Sequence, residues 1–202
     1  MNRSFTCPRT CARSVLCRFS PLWASMGPSH VTSHTVTVRV DLACNPEALA
    51  LAAVALGGTY LGAGTHQLYE RAEAGYAITL PGWRYPLVAR RDGTLAYDDY
   101  AGRWGQVSDI ARLQSAFAFA AARAAAEAQG WMVEETTTGL RVYHPESGYL
   151  DVSPDGTVEA SGFMGVGCHA ASMLLADAIG RGEATAKPEY YAEQARVQGV
   201  EA

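Results

Sequence analysis

The stretch Thr35-Val36-Thr37-Val38-Arg39-Val40-Asp41-Leu42, followed at once by Asn45-Pro46-Glu47, sets the fold class. Val36, Val38, Val40 and Leu42 alternate with polar residues, the period of a strand with one buried face. Asn45 supplies a capping side chain, Pro46 fits the first helical position, and Glu47 faces the positive end of the helix dipole. Leu49, Ala53 and Leu56 line one side of that helix, and Gly57-Gly58 ends it. A one-faced strand running into a one-sided helix is the opening of a layered structure in which helices cover a sheet.

Downstream, Leu68–Tyr69, Tyr76–Leu80, Tyr85–Ala89 and Thr94–Tyr97 read as short strands, with Pro81-Gly82 and the hairpin signal Asp92-Gly93 between them. Ser108 reads as the cap of a long helix, Asp109–Gln129, whose stripe runs Ile110, Leu113, Phe117, Ala121, Ala124 and Ala128. Two strands follow, Trp131–Glu134 and Leu140–Tyr143. The order implies an α+β fold: a mainly antiparallel sheet with two helices on one face, of which a ferredoxin-like topology is one version. After Gly148 the pattern restarts. Tyr149–Ser153, the turn Pro154-Asp155-Gly156 and Thr157–Phe163 form a hairpin, Cys168–Ile179 a helix, and Pro188–Glu193 a short last helix. The expected organisation is an extension over 1–31, an α+β domain over 32–147, a β-hairpin–helix domain over 148–195 and a tail over 196–202. The small second unit cannot bury much surface alone, so it is expected to dock on the first domain, on a second copy as a homodimer, or on a partner.

Composition bounds the function. The chain has 202 residues, 49% hydrophobic and 18% charged, which is globular rather than disordered. Residues 1–30 hold Arg3, Arg9, Arg13, Arg18, Cys7, Cys11 and Cys17 and no acid. They read first as upstream or mis-assigned translation with Met26 an alternative start, and second as a targeting leader. Four of the sixteen basic residues precede Met26 and all twenty acids follow it, so the net charge moves from −4 to −8. That acidity argues against nucleic-acid binding. No apolar run approaches the ~18 residues of a membrane span. The body's two cysteines, Cys44 and Cys168, are far apart, which fits a reducing, cytoplasmic setting.

The sequence lacks a phosphate-binding loop with its lysine, a Gly-x-Ser-x-Gly elbow, a His-Glu-x-x-His helix and a Cys-x-x-Cys pair, and it implies no cofactor or metal. Gly165-Val166-Gly167-Cys168-His169 places a thiol at a helix start, where the dipole favours thiolate. Cys168 with His169 is therefore the candidate for a thiol-dependent enzyme or redox sensor, weighed against a small buried core residue. Gly165 and Gly167 with Cys168 could instead cradle a small ligand or anion. Two turn-rich segments, Pro81-Gly82-Trp83-Arg84-Tyr85-Pro86 and Tyr97-Asp98-Asp99-Tyr100-Ala101-Gly102-Arg103-Trp104-Gly105, concentrate the residue types that dominate interface energetics. Trp83, Arg84, Tyr85, Tyr97, Asp98, Tyr100 and Trp104 are the expected partner-binding residues. Asp98 and Asp99, as neighbours on an extended segment, point to opposite faces and make a poor paired-carboxylate site.

Ser33-His34-Thr35, Leu49 through Ala53 to Leu56-Gly57, Gly75-Tyr76, Pro81–Pro86, and Tyr97-Asp98 through Trp104-Gly105 resemble the domain-of-unknown-function family 1257. That family includes a plastid and cyanobacterial hypothetical reading frame and many bacterial and phage proteins; the likeness spans about residues 32–145. Pro154-Asp155-Gly156, Gly162, Gly165, Gly167-Cys168, Ile179-Gly180 and Lys187-Pro188-Glu189-Tyr190-Tyr191 are similar to a second family, domain-of-unknown-function 2997, over about 148–195. Members of the two are often encoded as neighbours, and relatives often stand beside AAA-type ATPases. The resemblance implies a partnership and supplies no catalytic residues. The expectation is a non-enzymatic adaptor or accessory subunit working with a protein partner, plausibly an AAA-type ATPase.

Overall fold

The structure, a computed structural model, describes residues 31–145, 147–164 and 167–183. The expected extension over 1–30, Gly165 of the glycine turn, and the expected helix Pro188–Glu193 and tail lie outside them. In chain order the elements are β1 (Val31–Val40), α1 (Pro46–Ala55), β2 (Thr59–Gln67), β3 (Ala72–Thr79), β4 (Leu87–Ala89), β5 (Leu95–Ala96), α2 (Ser108–Ala128), β6 (Met132–Glu135), β7 (Leu140–Tyr143), β8 (Tyr149–Val152), β9 (Val158–Met164), α3 (Gly167–Ile179) and β10 (Gly180–Glu183).

The fold is α+β, with two antiparallel sheets. The larger has six strands in the order β10-β1-β9-β8-β7-β6, and the smaller has four in the order β2-β3-β4-β5. β9 and β10 both run antiparallel to β1 and flank it, with α3 connecting them. This is one split β–α–β unit. A ferredoxin-like sheet needs two such crossings within four strands, and here the strands after α1 leave for the second sheet instead.

The helices join the sheets. α1 packs on α2 and on β2 and β3, while α2 packs on α3 and on β6, β7 and β8. One core draws on all of them: Leu49 and Ala52 of α1, Ile78 and Leu87 of the small sheet, Leu113 and Phe117 of α2, and Leu150, Leu175 and Ile179 from the large sheet and α3. The long helix keeps Leu113, Phe117 and Ala121 of its expected stripe buried. Ala124 and Ala128 face solvent, and Ala118, Ala122 and Ala126 take their place. On the small sheet, period two separates the faces. Ile78 and Leu87 enter the main core, and their neighbours Ala77 and Val88 form a second, smaller cluster with Leu68 and Ala96.

The boundary expected at residue 147/148 falls inside a hairpin. β7 pairs with β8 from Leu140↔Val152 to Tyr143↔Tyr149, and β9 then pairs with β1. The hairpin–helix segment is part of the large sheet rather than a body docked on it, because its strands find their hydrogen-bond partners on both sides there.

Candidate functional site

The two aromatic segments lie side by side. The Arg84 amide donates to the Trp104 carbonyl at 2.8 Å, and the Trp104 amide donates to the Asp99 carbonyl at 2.9 Å. A third piece joins them from the β2–β3 turn, where the Tyr69 amide donates to Asp98 Oδ2 at 2.7 Å. Asp98 is thus a loop tie, and no group of His, Cys, Asp and Glu fit to hold a metal ion occurs among the described residues.

The expected docking residues divide into an inner and an outer set. Trp83 and Tyr97 face the main core, meeting edge to face at 5.7 Å, and the Trp83 indole donates to Asp109 Oδ2 at 3.2 Å. Gly105 makes room for that indole, since a Cβ there would lie 2.2 Å from Trp83 Cδ2. The pair anchors both segments to the start of α2. The outer set is Tyr85, Tyr100 and Trp104, to which the structure adds Tyr69. Trp104 stands at the centre, with Tyr100 stacked on it at 4.5 Å, Tyr69 at 4.7 Å and Tyr85 at 5.4 Å between ring centroids. Arg84 places its guanidinium 5.3 Å from the Trp104 ring and 5.7 Å from Tyr85, and Arg103 lies 5.5 Å from Tyr100. None of the ion pairs among the described residues uses either arginine. Tyr69 and Tyr100 are each 56% exposed.

The backbone carrying this cluster is strained. Tyr100, Ala101 and Gly102 have φ of 45°, 55° and 80°, three successive left-handed residues of which two bear a Cβ. Such conformations cost energy and persist where surrounding contacts enforce them. Here the enforcing contacts are the Arg103 amide to the Tyr100 carbonyl at 3.2 Å and the Trp104 amide to Asp99.

Cys168 is buried, 1% exposed, in the main core at the start of α3, and Ser172 Oγ donates to its carbonyl at 2.9 Å. His169 is exposed on the next position. The thiol and the imidazole do not share an open site, because adjacent helix positions diverge by about 100°. Gly167 opens α3, and its turn partner Gly165 is outside the described residues.

A cleft of about 620 Å³ lies elsewhere, between the end of β1, the β4–β5 turn, the first turns of α2 and the β8–β9 turn. Arg39, Thr94, Gln114 and Asp155 line it. Ser115, on its wall, already has its one hydroxyl proton within reach of the carbonyls of Pro154 and Ala111, at 2.7 and 2.9 Å. None of the expected site residues reaches it.

No family model, curated protein or solved structure matches the chain. The likeness to the two families of unknown function therefore rests on the residues quoted for it. No helix among the described residues is long and apolar enough to cross a membrane.

Proposed function

We propose that this chain is a non-enzymatic adaptor or accessory subunit that docks a protein partner through Tyr69, Tyr85, Tyr100, Trp104 and the two arginines laid over them. The observation that carries the reading is the aromatic cluster itself, in which Tyr69 and Tyr100 are exposed and Tyr85 and Trp104 half-buried. Tyr, Trp and Arg are the residues enriched in the few positions that dominate interface affinity. Two guanidiniums without carboxylate partners leave hydrogen-bond donors for the partner to satisfy. The strained turn at Tyr100–Gly102 supports the reading, since it fixes the rings before binding and lowers the ordering cost of association. An AAA-type ATPase is the partner that the family resemblance suggests.

The test is capture from the native host with the chain as bait, with and without ATP, read by mass spectrometry. The wild type is expected to bring down an ATPase in a nucleotide-sensitive way, and Tyr100→Ala with Trp104→Ala to lose it while far-UV circular dichroism is unchanged. Equal capture by that variant, or no ATPase with the wild type, overturns the proposal. Trp83→Ala and Tyr97→Ala are unsuitable probes, because those rings pack on the core.

A further inference from the structure

Among the described residues, the small sheet ends on one side in β2, which pairs there only with β3. An edge strand presents unpaired N–H and C=O groups, and proteins ordinarily blunt such edges with charge, proline or shortness. β2 has nine residues and neither charge nor proline. The feature extends beyond the strand. From Ala48 to Tyr69 there is no charged side chain, and Glu47 and Glu70 bound the stretch. It takes in Ala48–Ala55 of α1, the helix that packs on β2. That helix is apolar on its outer side as well as its inner one: Leu51 is 59% and Val54 66% exposed, and Leu61 on β2 is 46% exposed. A surface helix normally turns polar residues outward.

We infer that this edge is a homodimer interface in which β2 of one copy pairs antiparallel with β2 of a second, joining two four-stranded sheets into one of eight. Charge points to a second copy. The sequence from Met26 onward carries −8, so two copies repel except where they meet without acids, and residues 48–69 are such a place. An antiparallel twofold pair also matches each strand's donors to the other's acceptors without a second sequence being needed. Sterics agree. The bulge between Tyr60 and Gly62 leaves Gly62–Gln67 as the regular part of the strand. Pairing about Gly64 sets Ala63 against Thr65 and Gly62 against His66, so that no two bulky side chains are opposed between Gly62 and His66.

Sedimentation equilibrium of the full chain tests the inference. The wild type is expected at twice the chain mass. Ala63→Lys and Thr65→Lys, at two exposed edge positions, are each expected to weaken association at least ~10-fold, about 1.4 kcal/mol. Retained far-UV circular dichroism would show that they fold, and Leu51→Lys on α1 gives a second perturbation of the same surface away from the strand. Tyr100→Ala with Trp104→Ala is expected to leave the dimer intact. A wild type that stays monomeric at every concentration overturns the inference, as does a dimer that survives both lysines or one that dissociates on loss of the aromatic cluster.

Discussion

Cys44 and Cys168 differ in what surrounds the sulfur. Cys44 follows β1, its Sγ donates to the Ala178 carbonyl at 3.5 Å, and the residue is exposed. Even so, local burial of the thiol, and then the nearby Asp41 carboxylate, push its pKa from 9.0 up to about 11. Both causes disfavour the thiolate, so the folded state holds the proton longer than the unfolded chain does. The associated stability is present below pH 9.0 and is lost as pH rises towards about 11. Iodoacetamide labelling followed at the Cys44 peptide by mass spectrometry should therefore rise with a midpoint near 11 in the folded protein, and near 9.0 in denaturant. The Cys168 peptide should stay unlabelled at neutral pH until the protein unfolds, because its sulfur is in the core. A midpoint below the ordinary thiol range at Cys168 would favour the thiol-dependent reading over the adaptor.

At the level of elements, the two helix starts give a matched comparison. Asn45 Oδ1 accepts from the Ala48 amide at 3.1 Å, as its place before Pro46 implies. Ser108, read from sequence as the equivalent cap, is instead the first helical residue. The cap position is Val107, which offers no side-chain hydrogen bond. Asn45→Ala should cost about 1 kcal/mol and Ser108→Ala a few tenths at most, measured by urea unfolding monitored at the α-helical band. The same physics sets what was legible. β1, α1, the long helix and the β8–β9 hairpin declare themselves by period and punctuation. β2 does not: Tyr-Leu-Gly-Ala-Gly-Thr has no alternation and two glycines, one at φ 88° in the bulge, so it reads as loop although it pairs along its length. Tyr69 was missed for a related reason. It ends an apparent two-residue strand, and all its partners in the cluster are distant in sequence: Asp98, twenty-nine positions away, and the rings of Tyr85 and Trp104. Trp83 and Trp104 share one composition signal and are both half-buried, and only tertiary packing separates the ring on the main core from the ring in the surface cluster.

At the scale of the molecule, chain order and spatial order part company after β1. The large sheet takes its first strand from the start of the described chain and its neighbours from the end: β1 lies between β9 and β10. Everything from α1 to α2 is inserted between strands that must meet, and the small sheet is built within that insertion. Sequence alone places a boundary near residue 147 because strand, turn and strand restart there, which is local information. Closing the sheet is not local. A fragment ending at residue 147 would keep α1, the small sheet, α2 and the β6–β7 hairpin. It would strip β1 of both partners and expose the faces of α2 and β7 that now bury Leu150, Val158 and Leu175. Such a fragment should lack a cooperative thermal transition and bind a hydrophobic dye, and the segment from residue 148 should be unfolded alone. Mixing the two should restore the transition if the split falls within one cooperative unit. Independent melting of the first fragment at the full chain's temperature would show instead that the large sheet is dispensable to the aromatic site.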